Sequence, residues 1–240
     1  MARRYFIDEL PDDGGAVLVG DTAHHLATVL RVRPGDAIVL ADGRGGSCEA
    51  TVERVGGGKV ALQAGPIARE PAPAFRLHVA FAPPRWTRAD WLFEHGTELG
   101  VTTFWPLWTE RTRPQGGRTD RWDKLIRAAA GQCDRSWLPE VRPVTELAAF
   151  LADPALPERR FVGAGDGSPL PAELDAANAA LLVGPEGGFT AAEQQAIAAA
   201  GFAAVSLGPH VLRTETAALV GAAALGLAAM RAAGSPPPRS

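Results

Sequence analysis

The sequence predicts an α/β protein in two parts: a β-rich first third that curls into a small barrel, then a larger domain with a mostly parallel sheet. Three observations carry this. Short strands at close spacing, separated by turn signals, fill residues 1–72. A proline cluster, Glu70-Pro71-Ala72-Pro73-Ala74, then marks a linker, and strands alternate with helices beyond it. Near the C-terminus two apolar strands each run into a glycine-bearing loop that opens a helix. The expected boundaries are 1–72, 73–234 and a Pro-rich, disordered tail, 235–240.

In the first part the strands are Arg4–Ile7, Ala16–Val19, Ala37–Leu40, Cys48–Val52 and Lys59–Leu62. Between them lie turn sequences such as Asp12-Asp13-Gly14-Gly15, Pro34-Gly35-Asp36 and Gly56-Gly57-Gly58. One helix interrupts them, Thr22–Leu30, with Thr22 as its N-cap. Beyond the linker the reading is strand Leu77–Ala82, helix Thr87–Leu99 stopped by Gly100, and strand Val101–Leu107. Helix Asp120–Gln132 follows, with Trp122, Leu125, Ile126 and Ala129 on one side. Thr145 caps a helix to Leu151, and strands Arg160–Ala164 and Leu181–Val183 come next. Thr190-Ala191-Ala192-Glu193 is a capping box that starts a helix to about Ala200. Strand Ala204–Leu207 and helix Thr216–Ala233 end the chain's regular structure.

Composition excludes several classes. With 46% apolar and 21% charged residues in 240, the chain can bury a core. Cys48 and Cys133 stand far apart with no Cys/His cluster, so no metal site or disulfide framework is expected, and reduced thiols in a cytosol fit. No signal-peptide pattern is visible between Met1 and Asp13. The uncharged stretch Ala217–Met230 falls short of the roughly 20 residues of a spanning helix. It reads as a closely packed helix at a core or a subunit interface. A net charge of −3 gives no global argument for nucleic acid. Locally, Arg111–Arg135 carries seven basic residues against three acidic ones. Such a run serves phosphate contacts or is simply a solvated helix face.

Two motifs tempt and are weak. Gly163-Ala164-Gly165-Asp166-Gly167 follows a strand like a dinucleotide fingerprint, but Pro169 and Pro171 fall where its helix should run, so it is read as a loop. His24 and His25 are adjacent on a helix and point apart, so one is expected packed and the other exposed. The C-terminal loops are stronger. Gly184-Pro185-Glu186-Gly187-Gly188-Phe189 has two consecutive glycines, more than a turn needs. Leu207-Gly208-Pro209-His210-Val211-Leu212-Arg213-Thr214-Glu215-Thr216-Ala217 places a cation and an anion at a helix start. The dipole explains Glu215 there but disfavours Arg213, which points to a functional reason for the arginine.

This pair of loops resembles the SPOUT-type, trefoil-knot S-adenosylmethionine (AdoMet) methyltransferases. Within them it is similar to the RsmE-type enzymes that methylate uridine N3 in 16S ribosomal RNA. Further matches are Thr97-Glu98-Leu99-Gly100-Val101, Thr109-Glu110-Arg111 after Pro106, Gln132-Cys133 with Arg135-Ser136, and Pro139-Glu140. His24-His25-Leu26 with Val29-Leu30-Arg31 matches the family's PUA-like RNA-binding barrel. The family usually has Arg where His210 stands, Lys near His95, and Glu where Gly131 stands.

The resemblance implies a cytoplasmic homodimer without metal or membrane, acting on 16S rRNA or the small ribosomal subunit. AdoMet would be held in the knot by Gly184, Glu186, Gly187, Gly188, Leu207, Gly208, Val211, Leu212 and Thr216. Arg213 would stabilise the uracil anion, with Glu215 as base or cofactor contact. RNA would meet Arg3, Arg4, Arg31, Arg111, Arg113, Arg118 and Arg135. Three other readings are a ribose 2′-O methyltransferase of the same fold, a non-catalytic RNA-binding protein, and a nucleotide-dependent oxidoreductase using Gly163–Gly167.

Overall fold

The computed structural model describes residues 3–12, 14–82, 86–113 and 119–234. Arg118 and the tail 235–240 of the sequence reading lie outside them. The chain divides into two compact units: residues 1–73 with 127–138, and residues 74–126 with 139–240.

The first unit holds β1 (Arg3–Phe6), β2 (Gly14–Leu18), α1 (Gly20–His24), β3 (Ala37–Ala41), β4 (Gly46–Gly56), β5 (Lys59–Ala64) and β6 (Ala68–Arg69). They form one sheet in the order β1-β3-β4-β5-β2, with β6 on β4. Alternation builds its core. In β4, Cys48, Ala50 and Val52 point inward, and the register shifts between Val52 and Arg54, where the alternation stops. Ile38, Leu40, Val60 and Leu62 complete the cluster. Residues 127–138 are part of this packing: Arg4 pairs with Asp134 at 2.8 Å and Leu138 N–H donates to Gly43 O at 3.0 Å.

Two expectations change here. The helix starts at Gly20, whose φ of +65° turns the chain before Thr22 is reached, and Val19 is an N-cap without a side-chain bond. α1 then runs into a π-helical turn, His25–Val29. The wider turn points Ala23 and Leu26 inward and leaves both His24 and His25 exposed, not one packed and one free.

In the second unit come β7 (Arg76–Phe81), α2 (Trp86–Glu98) and β8 (Val101–Trp108). Helix α3 (Thr119–Gln132) begins there, and β9 (Glu140–Val141), β10 (Thr145–Glu146) and α4 (Leu147–Leu151) follow. The last elements are β11 (Arg160–Pro169), β12 (Asn178–Val183), α5 (Ala191–Ala199), β13 (Ala203–Ser206) and α6 (Thr214–Ala232). Strand order is β10-β8-β7-β12-β11-β13, with β9 on β8, and these ladders are parallel. A parallel sheet is covered on both faces, which is why β12 is buried from Ala179 to Val183.

Thr145 does not cap a helix: its backbone joins the ladder opposite Leu107, and α4 starts at Leu147. Gly163–Gly167 is not a loop but lies within β11, where the register against β13 shifts. A Cβ on Gly167 would stand 2.5 Å from the Val205 backbone, so this glycine allows close strand approach, and the oxidoreductase reading loses its loop. Helix α6 is long and apolar enough to cross a membrane by length and composition, yet Ala218, Ala222, Leu225 and Ala228 are buried in this unit. Gly221 faces the Leu181 side chain, so α6 lies close against β12. Leu174 N–H in the β11–β12 connection donates to Ala228 O of α6 at 3.0 Å.

Candidate functional site

Ligands of open parallel sheets bind beyond the carboxyl ends of the strands, where the order reverses. Here that point is β7 beside β12: β8 follows on one side and β11 on the other. The Gly184–Phe189 loop leaves β12 at this place. Gly184 needs to be small, because a Cβ there would meet the Phe189 ring at 2.8 Å. Gly188 takes φ +70°, which L side chains rarely adopt. At Gly187 an added Cβ would meet, among the described residues, only Arg111 Cδ, at 3.6 Å, so they leave room there.

The second loop, Leu207–Arg213, is tied to the first. Thr214 Oγ1 donates to Gly184 O at 2.9 Å. Arg213 is the N-cap of α6 and is exposed, with no ion pair among the described residues. Glu215 is 5% exposed in the first turn. Its Oε1 accepts from Arg88 of α2 at 3.2 Å, while Oε2 is buried with no hydrogen-bond partner among the described residues. Val211 is 98% exposed, Gly208 and Glu186 are exposed, and Leu207, Leu212 and Thr216 are half-buried.

A third loop joins them. Trp108 ends β8, and Thr109–Thr112 forms a tight turn with reciprocal backbone bonds of 3.0 and 3.3 Å. Arg111 donates to Gly187 O. Glu110 N–H donates to Glu193 Oε1 at 2.9 Å, and the other oxygen of Glu193 accepts from Thr190 N–H at 2.8 Å in the capping box of α5.

The arginines read as RNA contacts fall into distinct settings. Arg111 lies on the glycine loop, whereas Arg113 forks onto Glu146 at 2.8 and 3.0 Å. Arg4 is held by Asp134 and Ser136 with its side chain 8% exposed. Burial lowers the Arg135 pKa, while Arg3 and Arg31 are exposed. Sequence reading missed Thr214, Arg88 and Glu193 as site residues; only Glu193 had a local signal, its capping box.

An RNA methyltransferase domain model matches residues 70–226, and an RNA methyltransferase PUA domain model matches residues 18–64. The chain belongs to the RNA methyltransferase family. Among its relatives is the ribosomal RNA small subunit methyltransferase E of Mycobacterium bovis, 36% identical, with 96% of this chain and 94% of that one covered. The same-named protein of Synechocystis is 34% identical over 82% of this chain and 68% of its own length. A crystal structure of ribosomal RNA small subunit methyltransferase E from Neisseria gonorrhoeae bound to S-adenosyl methionine superposes with a TM-score of 0.82 at 29% identity. That match covers 93% of this chain and 96% of the other. The fold class is the one the resemblance implied: an α/β SPOUT-type domain with a mostly parallel sheet, preceded by a PUA-like part.

Proposed function

We propose that this protein methylates uridine N3 in 16S ribosomal RNA, using AdoMet, as a cytoplasmic homodimer. The observation that carries the reading is the Thr214–Gly184 tie, which joins the two loops of the family pattern into one site at the strand ends. The residues there fit AdoMet. The loop edge at Gly187 is open, and Glu215 Oε2 is an unclaimed buried acceptor for a cationic or N–H-bearing ligand. When bound, AdoMet supplies an electrophilic methyl group on a sulfonium.

The protein's own task is the proton and charge of the nucleophile. Uridine N3 is protonated at neutral pH, and each unit of pKa mismatch with an acceptor costs about 1.4 kcal/mol. An exposed guanidinium at Arg213 can hydrogen-bond the uracil oxygen onto which the anion spreads. The role of Glu215 as base or cofactor contact is supported by Oε2, which has no partner among the described residues while Arg88 takes Oε1. Dimerisation is supported by a stripe on α6, where Val220, Leu227 and Met230 are 41%, 51% and 48% exposed.

Nucleoside mass analysis of small-subunit rRNA from cells lacking the gene tests the reading. 3-Methyluridine should disappear and return with the wild-type gene. Loss of a 2′-O-methyl nucleoside instead would reassign the chemistry.

A further inference from the structure

We propose that Glu193 is a positioning residue for the glycine loop, acting through the Thr109–Thr112 turn and Arg111; this rests on reading Gly184–Gly188 as the AdoMet loop. A capping box needs only one acceptor on its third residue, and Gln serves as well as Glu. Glu193 fills that role with Oε2. Its Oε1 is surplus to the helix start and takes Glu110 N–H, from a turn 83 residues away. With Glu193 8% exposed, both bonds lie in a largely water-shielded setting.

The next residue, Arg111, extends from that turn to the Gly187 carbonyl. The same peptide unit carries the Gly188 N–H, which donates to Pro185 O at 2.8 Å. The Gly187–Gly188 peptide plane is therefore held at both ends. Without side chains on either flank, such a plane is otherwise free to flip. Fixing it before a ligand arrives removes an ordering cost from binding. Arg111 thereby acts on the loop in the absence of RNA, whatever it contributes to phosphates.

Three variants decide it: Glu193→Gln keeps one acceptor, Arg111→Ala frees the Gly187 carbonyl, and Thr190→Ala weakens the α5 cap without touching the turn. AdoMet affinity is measured by calorimetry without RNA, and Gly188 amide exchange by NMR. Glu193→Gln and Arg111→Ala should each weaken AdoMet by about tenfold, the scale of one lost charge-assisted hydrogen bond, and should accelerate Gly188 exchange. The double variant should be no worse than Arg111→Ala alone. Thr190→Ala should lower Tm and leave affinity unchanged. The proposal is overturned if Gly188 exchange stays at the wild-type rate in both clamp variants, if their losses add, or if Thr190→Ala weakens AdoMet as much as they do. Should the wild-type protein not bind AdoMet at all, the functional reading fails, while Gly188 exchange still judges the clamp.

Discussion

Arg213 and Glu215 are two residues apart and meet opposite surroundings, one in solvent and the other 5% exposed beneath the loops. The arginine gains nothing from the helix dipole at an N-cap, so its value lies with what it meets in solution. Arg213→Ala should bind AdoMet nearly normally and lose roughly 10²–10³ in methyl-transfer rate, the scale for one preorganised donor. Arg213→Lys keeps charge without the fork and should also be impaired. Single-turnover kinetics at saturating RNA and AdoMet decide this; a preserved rate with weakened AdoMet would make Arg213 a cofactor ligand. Gly187 offers a cleaner probe, because its added Cβ makes only an ordinary contact with Arg111. Gly187→Val should fold and fail to bind AdoMet in calorimetry, and unchanged affinity would remove the loop from the pocket.

At the scale of elements, neighbouring strands β7 and β8 hold a half-buried histidine whose titration is readable. His78 Nδ1 is 3.3 Å from Trp105 Nε1, and Arg142 lies over the same indole at 4.8 Å. Burial first, then Arg142 and Arg76, push the His78 pKa down to about 4 from 6.5. Between those values the unfolded chain binds a proton that the folded chain refuses, so stability falls as pH drops from 6.5 towards 4. Above 6.5 both states are neutral and the residue contributes no pH dependence. Tm measured across this window should slope downwards on acidification, and His78→Asn, which keeps an acceptor for Trp105, should flatten that slope.

What could be read from sequence at this scale was what is local. The Thr190–Glu193 capping box spans one turn, and it formed as expected. Period-two and period-3.6 patterns located most strands and helices within a few residues. Thr214 bonding Gly184, Arg88 bonding Glu215 and Arg4 bonding Asp134 join residues 30, 127 and 130 positions apart, and no spacing rule encodes them. Gly163–Gly167 was read as a loop and is strand, because glycines that let strands approach closely look in sequence like glycines of a turn. The knotted threading came from resemblance alone, since topology rules argue against it.

For the whole molecule, the α6 stripe and the basic run make separate demands. Light scattering at micromolar concentration should give a dimer, and a stable monomer would refute the interface. Replacing Arg113 and Arg118 by Ala should weaken RNA binding and flatten its salt dependence by nearly one unit of slope per lost phosphate contact. AdoMet affinity should not change. Arg113 already forks onto Glu146, so its removal also leaves that carboxylate without this partner, and an unaltered slope would return the run to a solvated face.

The pairing of β7 with β12 sets a timetable for making this protein. Arg76 stands opposite Asn178, about a hundred residues later, and every ladder position up to Phe81 and Val183 shares that delay. At roughly 5–20 residues per second of synthesis, β7 waits several seconds on the ribosome for its partner. Leu77, Val79 and Phe81, each 1% exposed or less in the finished sheet, have only α2 and β8 beside them for that interval, with the β12 edge of their strand unpaired. The first unit waits as well, since it needs residues 127–138. Until residue 138 is made the nascent chain therefore carries two unfinished cores at once, and from there until β12 is made only the second remains open.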